Sequence, residues 1–512
     1  MTMQKYGLAL LLLAGQPVGA QPVPGFFSDL PPYDVLLESG DAASQIATLM
    51  GEGVQPPCTL APLDKALALT PSPGRPRGLI QYARAGCLSD KAQQPAARAA
   101  IDESVRLLPG YGAPLALAFM LYSFSDRPGP AADYLVRLIE INPDAALQVD
   151  DYSVSNLMSR LSDANDRRRL ARLSEKLLEI GWMSDDLAQR ATLATAVIEG
   201  RMDAGDVAGA RALVETVAVP GKLYTMLSDR RYEALWPDIE RWAGPQLGRL
   251  WQPYLRAAEG RWRASNNADA AKDYGDALLD AGHYDAILRD LLPLTQRKID
   301  PKDDDGLIFL VPSIAAALAR ADRWDDIEAL YQRMLAIWPL GGETNALNLS
   351  GNRAVYLFRA GKADAARQEI DRTIVEALRR REEVGAGALA AMALHRACIL
   401  QKLGETEEAL KARDIIGPSR RVMIADLMLC LDRPNDARDA LIMALEDPAQ
   451  RASAINFVQP GDFSPNDGMA GRTIRARQAL ARDPALLREV AKYGRVLDFE
   501  LKAPPELEKV PL

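Results

Sequence analysis

LLDAGHYDAIL, Leu278 to Leu288, contains one of only two histidines in 512 residues. If His283 is a general base the chain is an enzyme; if it is a turn residue the chain is a repeat. Its siblings decide. RMDAGDVAGAR from Arg201, LFRAGKADAAR from Leu357 and LQKLGETEEAL from Leu400 align with it and put Asp206, Lys362 and Glu405 where His283 stands. A position filled by His, Asp, Lys and Glu has no common chemistry. What the four share is the glycine before it, which supplies the left-handed conformation wanted just past a helix C-terminus. We therefore expect His283 to be a solvated residue in a tight helix-to-helix turn.

A longer register runs through the chain. Ala97 and Ile101, followed by Pro109, recur 34 residues later as Ala131 and Leu135, followed by Pro143. The same spacing returns as Ile327, Tyr331 and Pro339, and Leu88, Tyr122 and Leu318 stand nine residues before the first member of each set. A small residue at Ala97, Ala131 or Ala366 lets two antiparallel helices approach, and the apolar residue four positions on lies on the same face. The proline cannot continue the helix and turns the chain into the next unit. Helices this short are marginal alone, so each pair must bury its apolar stripe against neighbours.

On these residues, with LYSFSDRPGPAADYLVRLIEINPD (Leu121 to Asp144) as the best copy, the chain resembles the tetratricopeptide repeat family. The resemblance implies an all-α, right-handed superhelical solenoid of stacked antiparallel helix pairs, whose concave groove binds another macromolecule. Mapped by repeat position, Asn348, Arg359, Gln401 and Lys402 are the polar candidates to face that groove. Further units are expected at roughly 191–220, 268–300, 308–340, 347–380, 390–416 and 418–448.

The expected organisation is a signal peptide over 1–20, a proline-rich cap over 21–57, the repeat array over 58–450, a loop over 451–470, capping helices over 471–500 and a flexible tail over 501–512. The leader carries Lys5, an apolar run from Tyr6 to Ala14 and small residues before Gln21, which is the pattern of a secretory signal. Gln16 stands where a lipid-bearing cysteine would be, so lipidation is not expected. The apolar run is too short to span a bilayer, and a soluble periplasmic or secreted protein follows.

Composition agrees with helix. Apolar residues make up 48% of the chain and aromatics only 6%. The net charge of −8 becomes one unit more negative when Lys5 leaves with the leader, which disfavours nucleic acid as a partner. Four cysteines in an exported chain permit two disulfides. Cys58 early in one helix and Cys87 late in the next fit a pair; Cys398 and Cys430 either pair or remain two buried free thiols, since equivalent places in successive units can stand too far apart.

No nucleophile elbow, Walker loop, dinucleotide fingerprint or H-E-x-x-H is present. DPKDDDG (Asp300 to Gly306) puts prolines at the first and last positions of a calcium loop and reads as a solvated connection. His395 stands three residues before Cys398, too little for a zinc site; a thiol–imidazole nucleophile needs that cysteine free. The reading is a non-catalytic scaffold with no cofactor or metal, binding a protein of the cell envelope. The competing reading is an enzyme or accessory subunit for cell-wall or exopolysaccharide processing, with the solenoid as substrate cradle. Self-association is a third.

Overall fold

The computed structural model describes residues 58–461 apart from 91–92, 124, 126, 302–303, 343–344 and 382–383, and then 471–504 and 507. The expected leader and proline-rich cap lie outside the described residues. Among the described residues there are α- and 3₁₀-helices and no strand, only one isolated antiparallel bridge between Asp229 and Gly494. None of these helices is long and apolar enough to cross a membrane. Two compact units divide the chain: Met1–Ser184 with Thr192–Asp206, and Asp185–Ala191 with Val207–Leu512.

In the first unit, Arg75–Asp90 packs on Gln94–Leu107, Gly112–Ser123 on Pro128–Ile141, and Asp151–Asp163 on Arg167–Glu179. Ala97, Ile101, Ala131 and Leu135 are fully buried in one continuous core with Leu88 and Tyr122. Pro109 and Pro143 each stand two residues past the last helical residue, Leu107 and Ile141, where their rings end the preceding helix. The buried Tyr122 hydroxyl donates to Asp102, which also accepts from Tyr134, tying successive helix pairs at 2.8 and 2.7 Å.

The second unit repeats the theme in Val311–Arg320 with Trp324–Ile337, Asn345–Arg359 with Ala363–Arg379, and Arg421–Cys430 with Pro434–Glu446. Ala366 is fully buried at its contact, and Pro339 again follows its helix end by two residues. Between Val207 and Leu247 the pattern breaks into short helices and 3₁₀ turns, among them Pro220–Ser228 and Trp236–Ala243. The last elements return to this break: Arg451–Phe457 packs against Pro220–Ser228.

That return corrects two expectations. Residues 451–457 are helical rather than loop, although 462–470 lie outside the described residues. Residues 501–504, expected to be a free tail, continue a strap that begins at Gly494. The Arg495 amide donates to the Ser228 carbonyl at 2.8 Å, its guanidinium lies 4.0 Å over the Trp236 ring and bonds Glu240 at 2.7 Å. Tyr224 donates to the Phe499 carbonyl at 3.1 Å, and the buried Ala503 donates its amide to Ala281. Over 471–500, expected to hold capping helices, two helices stand at Gly471–Leu480 and Pro484–Tyr493.

The four glycine turns aligned with Gly282 share one geometry. Gly205, Gly282, Gly361 and Gly404 have φ of 77° to 86°, and the amides of Asp206, His283, Lys362 and Glu405 each reach back to the carbonyl five residues earlier at 2.8 to 2.9 Å. This is the Schellman closure of a helix end. His283, however, is not solvated: it is 5% exposed, unlike the exposed Asp206 and Lys362. The same closure recurs at Asn165, Asp322 and Asp432, with φ of 53° to 59°.

Candidate functional site

A charged cleft of about 250 Å³ opens in the second unit. Three segments build it. Ala268–Ala281, capped by the Asn267 side chain accepting from the Ala270 amide at 2.8 Å, carries Lys272, Asp273 and Asp276. Gly248–Ser265 contributes Tyr254, Ala257, Ala258 and Arg261, spaced three and four apart on one helix face. Asp185, Asp186, Leu187 and Ala188 form the third wall, where Asp186 caps a helix start by accepting from the Ala188 and Gln189 amides at 2.8 and 3.0 Å.

Ion pairs fix these side chains. Arg261 bonds Asp186 and holds Asp273 at 2.6 Å. Lys272 holds Asp276 at 2.8 Å and stands 3.6 Å from Asp273, while the Ser313 hydroxyl donates to Asp276 at 3.1 Å. The cations do not balance the acids. Burial pushes the Asp273 carboxyl up, and the neighbouring charges of Asp186 and Asp276 add to this against Arg261 and Lys272. Burial works against the Lys272 ammonium, but Asp276 and Asp273 outweigh it and leave its pKa raised. Asp280, one turn beyond Asp276, is pushed up to about 6 by desolvation and the Asp276 charge, although its side chain retains solvent contact.

Tyr254 differs from the rest. It is 8% exposed, lines the cleft, and its hydroxyl has no hydrogen-bond partner among the described residues. Burial and the charges of Asp280, Asp276, Asp273 and Asp186 raise its pKa, so it stays a neutral phenol. The cleft thus sets alanines and a neutral phenol beside four carboxylates and two cations.

The residues singled out in the sequence lie elsewhere. Cys58 and Cys87 are joined, with Cα atoms 5.5 Å apart. Cys398 and Cys430 are joined as well, at 5.1 Å, because Ala386–Lys402 packs directly on Arg421–Cys430 over the buried Ala397 and Ala425. Cys398 is thus no thiol nucleophile, and burial lowers the pKa of His395 beside it. Asn348, exposed, and Arg359, over the Trp324 and Tyr356 rings at 5.8 and 5.1 Å, mark opposite ends of one helix about 16 Å apart. Gln401 and Lys402 end another helix; Lys402 is exposed, and the Gln401 side-chain oxygen is buried without a partner. None of the four lines the cleft. In the acidic run, Asp304 bonds Arg297 at 2.6 Å; burial opposes its ionisation, but the Asp300 amide and Arg297 hold its pKa low.

Sequence reading passed over the cleft because 75 residues separate Asp186 from Arg261. One signal was available: Asp273, Asp276 and Asp280 recur at three and four residues, on one face of a helix otherwise rich in alanine. A scan against protein-family models finds no match, and a search of the curated proteins finds none either.

Proposed function

We propose that the chain is a non-catalytic, tetratricopeptide-like scaffold, exported to the cell envelope, that binds a protein partner. The observation that carries this reading is recurrence: antiparallel helix pairs follow one another, many of their turns close with the same Schellman geometry, and at several of them a buried alanine at the helix contact or a proline two residues past the helix end returns. Such arrays present side chains from successive helices along one surface, and their usual work is recognition. The cleft adds a place for it. Its ion pairs hold the polar groups in fixed positions before any ligand arrives, which lowers the ordering cost of binding.

The test is crosslinking of the envelope fraction in the native host, followed by mass spectrometry of what co-purifies with the chain. A reproducible protein partner, lost when the chain is absent, is the expected result. Bound glycan without protein, or turnover of envelope polysaccharide by the purified chain, overturns the reading in favour of polysaccharide processing.

A further inference from the structure

We infer that the cleft between Tyr254, Asp273, Asp276 and Asp185 binds an aliphatic cation, the ammonium or guanidinium end of a Lys or Arg side chain or of a small diamine. Four carboxylates line it, Asp185, Asp186, Asp273 and Asp276, against two cations, Arg261 and Lys272. Asp186 and Arg261 satisfy one another, and Asp185 on the rim is exposed. The site is therefore short of positive charge, and an anion would be repelled.

The Tyr254 hydroxyl is the independent pointer. The Tyr254 side chain is more than nine-tenths buried, its hydroxyl has no partner among the described residues, and that oxygen, open to the cleft, accepts from an N–H donor brought there. An ammonium has three donors and no acceptor, the complement of a phenol oxygen among carboxylates. Size agrees. About 250 Å³ falls below the roughly 300 to 1,000 Å³ typical of drug-sized ligands, and suits one side chain or one short diamine. The methylenes of either would lie against Ala257, Ala258 and Ala270.

The scaffold reading bears only on the source of the cation. Calorimetric titration of the purified chain with 1,5-diaminopentane and with Nα-acetyl-lysine methylamide tests the site, with pentanoate and glucose as controls. Saturable binding of the cations alone is expected, weakened at least about tenfold by Tyr254→Phe, since a hydrogen bond to a charged group is lost. Unchanged melting shows that the variant still folds. The tighter of the two cations tells a diamine from a partner's lysine. No cation binding, equal uptake of pentanoate or glucose, or full affinity in folded Tyr254→Phe overturns the inference. A partner captured by crosslinking while the cations fail to bind would leave the scaffold standing without this site. A diamine bound with no partner captured would do the reverse.

Discussion

At the scale of the residue, the left-handed turn is the recurring decision. Glycine takes it freely at 282, whereas Asp322 and Asp432 hold the same geometry with a Cβ and bear its steric cost. Gly282→Ala should destabilise the second unit by about 1 kcal/mol, and Asp322→Gly should be neutral or stabilising by up to about 1 kcal/mol; thermal or denaturant melts of the two variants check the opposite signs. His283 shows what a turn motif leaves out. The motif specified its backbone, but its burial depends on what the tertiary fold brings over it. Asp280 offers a pH test at the cleft's edge. Its raised pKa means the folded state holds the proton more tightly, so its contribution to stability is present below the ordinary carboxylate range and lost as pH rises through about 6. Asp280→Asn should therefore stabilise the chain at pH 7 and not at pH 4. Solvent at this exposed side chain keeps the gain under about 1 kcal/mol, and melts at both pH values measure it.

At the scale of the element, helix pairs were legible wherever local signals coincide: a small residue, an apolar residue four later, and a proline two past the helix end. Residues 97–143 carry all of these; 311–339 carries the apolar Tyr331 and Pro339, with Ile327 in place of the small residue. The segment 207–247 and the strap from Gly494 were not legible, because their structure is fixed by long-range contacts. Arg495 reads as an ordinary charge in sequence; its partners Leu227, Ser228 and Glu240 stand more than 250 residues away. The second cysteine pair is not legible for a related reason, since spacing along the chain does not give the distance between successive helices. Gly494 is where the strap crosses closest. A Cβ there would overlap the Ser228 carbonyl oxygen, so Gly494→Ala should cost about 2 kcal/mol through overpacking and raise hydrogen exchange at residues 495–503 before it affects Asn345–Arg379. Unaltered exchange across the strap would refute that placement.

At the scale of the molecule, the proposed scaffold and the proposed cation site meet in the second unit, where packed helices hold the ion pairs of the charged cleft. In the sequence Asp273 and Asp276 show as one face of a single helix among 69 acids; three distant segments had to fold together before they and Asp185 and Asp186 formed a cleft. The most direct measurement is site-specific photocrosslinking in the native host, with a photoreactive residue at the exposed Ala188 on the cleft wall and, as control, at the exposed Val375 on Ala363–Arg379. The account predicts a discrete protein adduct from position 188, absent from position 375 and diminished by Tyr254→Phe. No adduct from position 188 in the folded chain, or an equal one from both positions, would contradict it.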